Sequence, residues 1–445
     1  MIPTIFKKFV DEEVSMNNKE LFSGPLTKQQ TYFIFTLLFL LYMFDYIDRM
    51  VIVSLFPYIK NDWGLSDAQC GLLVSVVYWS ILLFTLPASF AIDRWSRKKS
   101  IGIMSVVWSL ATLACAATRN FWQLFTLRAI VGIGEAGYAP GGTAMISAIF
   151  PAERRARMLG IWNASIPLGS ALGIALGGLI AQHLGWRYAL GIVAIPGMIV
   201  ALLFFRVKDY KTVELDTEGI ASSPEYGNRV QWKMIVLHLV RIKSLLLNNL
   251  AFAGNVFVTT ALMSWLPTYF NRTQGLPMGQ AGMKSSIIML MAIVGAPLGG
   301  FLADRWLRSR SNARLMFAVL SSLATSATLF LAFSVFSGNA QYAVLIVTGI
   351  CAVAFVPASV AVTQDVVHPG LRATSLSICI IIQHLLGSSL GPPVIGYFSD
   401  IYGIQTAMLF LPVFTMVAAA LFFASSFYYN ADAAKVNAMQ VQVED

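Results

Sequence analysis

At 445 residues the chain is 57% hydrophobic and only 12% charged, with a mean hydropathy of +0.68. Soluble domains carry about a quarter charged residues, so this composition excludes a soluble protein and indicates an integral membrane protein. The net charge of +9 lies in short clusters between apolar runs, as membrane topology distributes it, and not along one basic face suited to nucleic acid.

Residues 1–30 mix Lys7, Lys8, Lys19 and Lys28 with Asp11, Glu12, Glu13 and Glu20 and contain no apolar h-region. This reads as a cytoplasmic tail without a signal peptide. Apolar stretches long enough to cross a core of about 30 Å follow at about 31–58, 66–92, 100–118, 121–147, 157–182 and 186–206, then at 245–270, 280–303, 314–336, 341–366, 371–398 and 404–428. The predicted fold is therefore all-α, twelve transmembrane helices in two six-helix bundles (31–206 and 245–428), with a polar linker at 207–244 and a second cytoplasmic tail at 429–445. With both ends on one side, 24 of the 31 Lys and Arg residues fall on that side and five on the other. The positive-inside rule makes it cytoplasmic.

The first span carries the most informative residues. Asp45, Asp48 and Arg49 lie in hydrocarbon-like sequence, where a charge at the bilayer centre costs roughly 2.5–3.5 kcal/mol on insertion scales. Such groups face a bundle interior or an aqueous cavity. Asp45 and Arg49 are spaced i,i+4 with the acid first, so they pair along one helix, whereas Asp48 points about 100° away from Arg49 and is expected to face span 4. There Arg128 and Glu135 project from one face two turns apart, among Gly132, Gly134 and Gly137. Glu135 is expected either to form a structural ion pair with Arg128 or Arg49, or to act with Asp48 in proton coupling, because buried carboxylates near cations titrate with conformation.

After span 2 the chain reads Asp93-Arg94-Trp-Ser-Arg97-Lys98-Lys99. A copy, Gly300-Phe-Leu-Ala-Asp304-Arg305, follows span 8 at an offset of 211 residues. Pro151 to Ala156 before span 5 and Leu168-Gly169-Ser170 within it recur before and within span 11 at offsets of 217 to 218. Three matched features in one order imply two parallel six-span halves with a site between them near the midplane, the architecture of major facilitator transporters. In span 5, Gly169, Gly173, Gly177 and Gly178 form one close-packing face; in span 11, Pro392-Pro393 is expected to bend or break the helix. Tyr42, Tyr46, Tyr78, Asn255, Trp265 and Tyr269, with Gln383 and His384, are candidate cavity residues. His384 is otherwise a histidine satisfied by a neighbouring carbonyl, and the aromatics otherwise packing. Four cysteines without CxxC spacing suggest neither disulfides nor a metal site, and the chain contains no Walker A loop; no cofactor is expected.

The Asp93 loop resembles the signature loop of the major facilitator superfamily, in which Asp93, Arg94 and Arg97, and Asp304 and Arg305 in the copy, would act as a conformational latch. With Asp-Tyr-Ile-Asp48-Arg49, Arg128 to Ala136 and Ile166-Pro167-Leu168-Gly169-Ser170, most of the chain is similar to the spinster-like family of that superfamily. The family typically carries Asn at the place of Asp45. The resemblance implies a secondary transporter, with proton coupling through Asp48, Arg49 and Glu135 and an amphipathic lipid-like substrate such as a lysophospholipid or sphingolipid; the lack of long eukaryotic-style extensions suggests a bacterial inner membrane, and a monomer that is not an enzyme is expected. An organic-anion or sugar-acid symporter of the anion-cation type is the alternative.

Overall fold

The computed structural model describes residues 26–208, 239–368 and 371–444, with the side chains of Phe90, Asp93, Arg94, Ala152, Glu153, Ala156, Ala373 and residues 437–444 left outside the description. The linker, most of the N-terminal tail and the Asp93–Arg94 part of the expected latch therefore lie outside the described residues. Among those described, every regular element is helical. Nine helical stretches are long and apolar enough to cross a membrane: 67–89, 157–184, 186–204, 243–274, 278–307, 313–335, 338–365, 374–402 and 404–436. The three other expected positions are occupied by α1 (Lys28–Val51), α4 (Arg97–Cys115) and the pair α5 (Phe121–Glu135) and α6 (Tyr138–Ile149).

Local chemistry explains where these helices start and stop. Thr27 with Gln30 and Ser66 with Gln69 form capping boxes at the starts of α1 and α3 (Asp67–Arg94), satisfying N–H groups that the first turn leaves free. Short α2 (Phe56–Trp63) lies between them and ends at Gly64 with φ 65°, a left-handed conformation that glycine adopts without a Cβ clash. The expected break in span 11 is present: α16 (Arg372–Ile382) runs into a π-helical segment, Gln383–Ser388, and a new helix, α17 (Gly391–Tyr402), starts with its prolines in the first turn. There the missing N–H costs nothing.

The glycine face of span 5 docks α8 (Ser165–Leu184) onto α1. A Cβ built on Gly169, Gly173 or Gly177 would lie 2.3, 2.6 or 2.9 Å from the carbonyl oxygens of Met43, Ile47 and Val51. Gly173→Val is accordingly expected to lower stability by about 1–3 kcal/mol, the usual cost of overpacking, read as a fall in thermal midpoint in detergent. An unchanged midpoint would contradict this close approach.

The two halves meet chiefly at the end of the bundle opposite the termini. There α8 packs on α11 (Met278–Leu290), and α3 packs on the π segment and α17. A Cβ on Gly178 would be 2.4 Å from the Met278 carbonyl oxygen, and one on Gly71 would be 2.6 Å from the Pro392 backbone. Ser286 donates to the Ala171 carbonyl (2.6 Å) and Ser75 to that of Ser389 (2.5 Å). At the terminus-bearing end, α12 (Ala292–Leu307) and α16 pack within their own half and show no comparable packing against the N-terminal half. Among the described residues, the bundle is closed at the far end and parted at the end that carries the termini.

Candidate functional site

The charges of span 1 sit where α1 unwinds. A 3-10 turn, Ile52–Leu55, follows Val51, and the Ile52 N–H bonds the Met50 carbonyl rather than the helical partner, Asp48. Arg128 occupies the place so opened. Its side chain is fully buried and donates from Nη1 to the Asp48 carbonyl (2.9 Å), from Nη2 to the Arg49 carbonyl (3.1 Å) and from Nε to the Leu73 carbonyl of α3 (3.2 Å). A guanidinium presents a rigid fan of donors, which here closes the end of α1 and ties spans 1, 2 and 4 together. Of the two expected ion-pair partners of Glu135, Arg49 takes that place, and the hydrogen bonds of Arg128 go to backbone. No spacing rule reveals which carbonyls a distorted helix releases.

Arg49 serves the carboxylates instead. Its Nη2 donates to both oxygens of Asp45 (3.0 and 3.2 Å), the expected i,i+4 pair, and lies 2.9 Å from Glu135 Oε2. The Glu135 contact is an ion pair without hydrogen-bond alignment, since neither Glu135 oxygen has a hydrogen-bond partner. All three side chains are at most 7% exposed. The guanidinium also rests over Tyr46 (4.5 Å to the ring centroid) and Tyr78 (5.5 Å), which favour a cation through their ring quadrupoles.

Asp48 stands apart from this triad. It is fully buried, its oxygens make no well-aligned hydrogen bond, and its polar neighbours are Asp45, Arg128 and the Thr112 hydroxyl. The five buried groups thus form two sub-sites, Asp45–Arg49–Glu135 and Asp48 beside Arg128, where the sequence suggested an Asp48–Glu135 grouping. Three carboxylates face two guanidiniums.

The aromatic and polar candidates divide similarly. Tyr42 stacks on Trp162 at 4.3 Å and meets Tyr46 edge-on at 5.4 Å. Tyr78 stacks on His384 at 5.6 Å, bridging the halves beside Arg49. The π segment presents His384, whose buried Nδ1 has no hydrogen-bond partner, so the expected carbonyl bond to that nitrogen is not formed. Gln383 donates to Cys379 Sγ at 3.1 Å. Asn255, Trp265 and Tyr269 are buried and satisfied inside the C-terminal half: Asn255 donates to Ser322, Trp265 to the Pro392 carbonyl, and the Tyr269 hydroxyl accepts from Gln341. In this conformation these three pack the core rather than line an opening.

Of the loop residues, Asp304 meets Arg314 at 3.4 Å, and Arg314 pairs with Asp365 at 2.6 Å, to which Tyr429 also donates. The Asp304 contacts therefore stay within the C-terminal half, and Asp365 is paired. Sequence reasoning missed a further charged cluster at the far end, built on Asp67; its one sequence trace is that two of the five far-side cations, Lys60 and Arg272, flank spans that meet there.

Comparison with known proteins fits this geometry. The profile of the Major Facilitator Superfamily matches residues 38–392. Bovine protein spinster homolog 1 is 29% identical over 377 residues, 80% of this chain and 71% of its own, and Drosophila melanogaster protein spinster is 28% identical over 382 residues, 83% of this chain and 62% of its own. A solved bacterial homolog of the human lysosomal transporter spinster, in an inward-facing and unoccupied conformation, superposes with a TM-score of 0.80 at 23% identity, covering 92% of this chain and 99% of that one. The D-xylose-proton symporter superposes at 0.70 with 16% identity, covering 87% and 96%.

Proposed function

Because the chain belongs to the Major Facilitator Superfamily and is a membrane transporter of spinster type, we propose that it couples an amphipathic, lipid-like substrate, such as a lysophospholipid or sphingolipid, to protons by alternating access. The observation that carries this reading is the excess of one buried carboxylate in the cluster of spans 1 and 4, where Asp45, Asp48 and Glu135 face only Arg49 and Arg128. A charge left unpaired in a low-dielectric site is costly, and one proton removes it. Glu135 is the proposed carrier, since its ion pair with Arg49 lacks hydrogen-bond alignment, with Asp48 as a second site; Asp45 holds Arg49 in place. On this reading the Lys and Arg distribution puts the termini in the cytoplasm of a cell that carries the protein in its plasma membrane, and the parted end faces inward.

The charge arrangement also favours this substrate class over organic anions. Among the described residues, Arg49 is shared by two carboxylates and Arg128 by three carbonyls, so neither buried guanidinium of the first half is unoccupied for a carboxylate substrate. A head group carrying a positive charge, as in a lysophosphocholine, suits a site with excess negative charge. Lysophosphocholine is expected to raise the thermal midpoint of the purified protein and glucuronate to leave it unchanged; the reverse result would favour the anion symporter. Coupling is tested in proteoliposomes. Uptake of labelled lysolipid driven by a pH gradient is expected in the parent, and its dependence on the gradient is expected to vanish in Glu135→Gln and in Asp48→Asn. Gradient dependence surviving in both variants would refute the proton assignment.

A further inference from the structure

We propose that Asp67, Arg272, Lys60 and Asp400 form the lock of the gate at the end opposite the termini, and that the Asp67–Arg272 pair sets how often that end opens. Asp67, in the first turn of α3, is 1% exposed. Its carboxylate accepts two bonds from Arg272 (2.6 and 2.8 Å), one from Lys60 (2.6 Å) and one from Ser399 (2.6 Å). Lys60 belongs to the same half as Asp67, whereas Arg272, on α10 (Lys243–Gln274), and Ser399, on α17, belong to the other.

A reciprocal contact runs back across the seam. Ser66 and Gln69 cap the start of α3 from within, and the N–H groups of Asp67 and Ala68 are taken by the Asp400 carboxylate at 2.7 and 2.9 Å. An acid at a helix N-terminus meets both free N–H groups and the positive end of the dipole, but this acid comes from the opposite half. Lys60 lies 3.6 Å from Asp400 and so touches both carboxylates. Gly396 lets the two backbones close on one another, a Cβ there lying 2.5 Å from the Asp67 carbonyl oxygen.

The two seams at this end differ in chemistry. Between α8 and α11 the cross-half contacts are neutral: Ser286 to the Ala171 carbonyl and the Gly279 N–H to Gln182. Where α2 and α3 meet α10 and α17 they are ionic, Arg272 pairing with Asp67 and Lys60 with Asp400. Water replaces neutral hydrogen bonds at little net change, whereas separating a carboxylate from a bidentate guanidinium is strongly unfavourable until both are rehydrated. The ionic seam is therefore the one that decides opening.

This inference rests on the alternating-access reading, but its test needs no substrate and no proton gradient. Cys70, fully buried one turn beyond Asp67 on α3, reports the seam, and Cys115, equally buried inside the N-terminal bundle, reports general loosening. N-ethylmaleimide labelling of each, read by peptide mass spectrometry in detergent, is expected to rise at least about tenfold at Cys70 in Arg272→Gln, as the loss of the bidentate partner of the buried Asp67 carboxylate implies, and to stay unchanged at Cys115. Arg272→Lys, which keeps the charge but not the bidentate fit, is expected to fall between. Equal Cys70 rates in parent and Arg272→Gln would overturn the lock. So would parallel increases at both cysteines, which would make the cluster a brace for the whole fold.

Discussion

Replacing Arg128 by leucine is expected to destabilise the N-terminal half by about 3–5 kcal/mol, the range for removing one member of a buried charged arrangement. Three effects act together. The carbonyls of Asp48, Arg49 and Leu73 lose their donor, and each buried unsatisfied group costs about 1–3 kcal/mol before relaxation. The Asp48 carboxylate, which makes no well-aligned hydrogen bond, loses its cationic neighbour. The end of α1 before the 3-10 turn then loses its hydrogen-bonded tie to α3 and α5. Thermal unfolding in detergent, followed by tryptophan fluorescence, checks the size of the loss. Adding Asp48→Asn to Arg128→Leu should recover part of it, because the second change removes the uncompensated charge; a strictly additive double variant would show that the two groups do not interact. Arg128→Lys is expected to lose nearly as much, since one ammonium cannot reproduce a three-carbonyl fan.

The second large effect concerns Arg49. In Arg49→Gln, Asp45 and Glu135 are left facing one another in a nonpolar interior without a cation, and gradient-driven uptake is expected to fall to background while the protein remains folded at acidic pH, where both carboxyls are neutral. Asp45→Asn makes the contrast. It leaves the 2.9 Å Arg49–Glu135 contact in place and should retain gradient-driven uptake. Proteoliposome uptake across these variants, with Glu135→Gln alongside, assigns the duties: full activity in Glu135→Gln with none in Asp45→Asn would exchange the roles of the two acids.

Much of this site is legible in the sequence. Insertion cost marked Asp45, Asp48, Arg49, Arg128 and Glu135 as residues that need a buried polar environment, and the i,i+4 rule gave the Asp45–Arg49 pair found here. The glycines of span 5 predict a packing face, and they pack α8 onto α1. The prolines of span 11 predict a break, and the helix breaks just before them. Each of these inferences concerns one helix or the small-residue face it offers, and the repeat of 3.6 residues per turn is enough to make it.

The pairing of Glu135 with Arg49 rather than Arg128 was not legible, and neither was the cluster on Asp67. Both depend on how one helix is rotated and tilted against another, which periodicity leaves open. Arg128 turned to the backbone because α1 unwinds at Ile52 and releases carbonyls that a regular helix would have kept, a local event set by packing rather than by the residues at 48 and 49. Asp67 and Arg272 are 205 positions apart, and nothing in either neighbourhood names the other. The sequence by itself determined the membrane helices, the two related halves and which positions must carry buried charge, because those follow from transfer cost and helical period. The tertiary structure alone decided which charges meet and which end is shut, because a side chain's partner is fixed by the docking of whole helices.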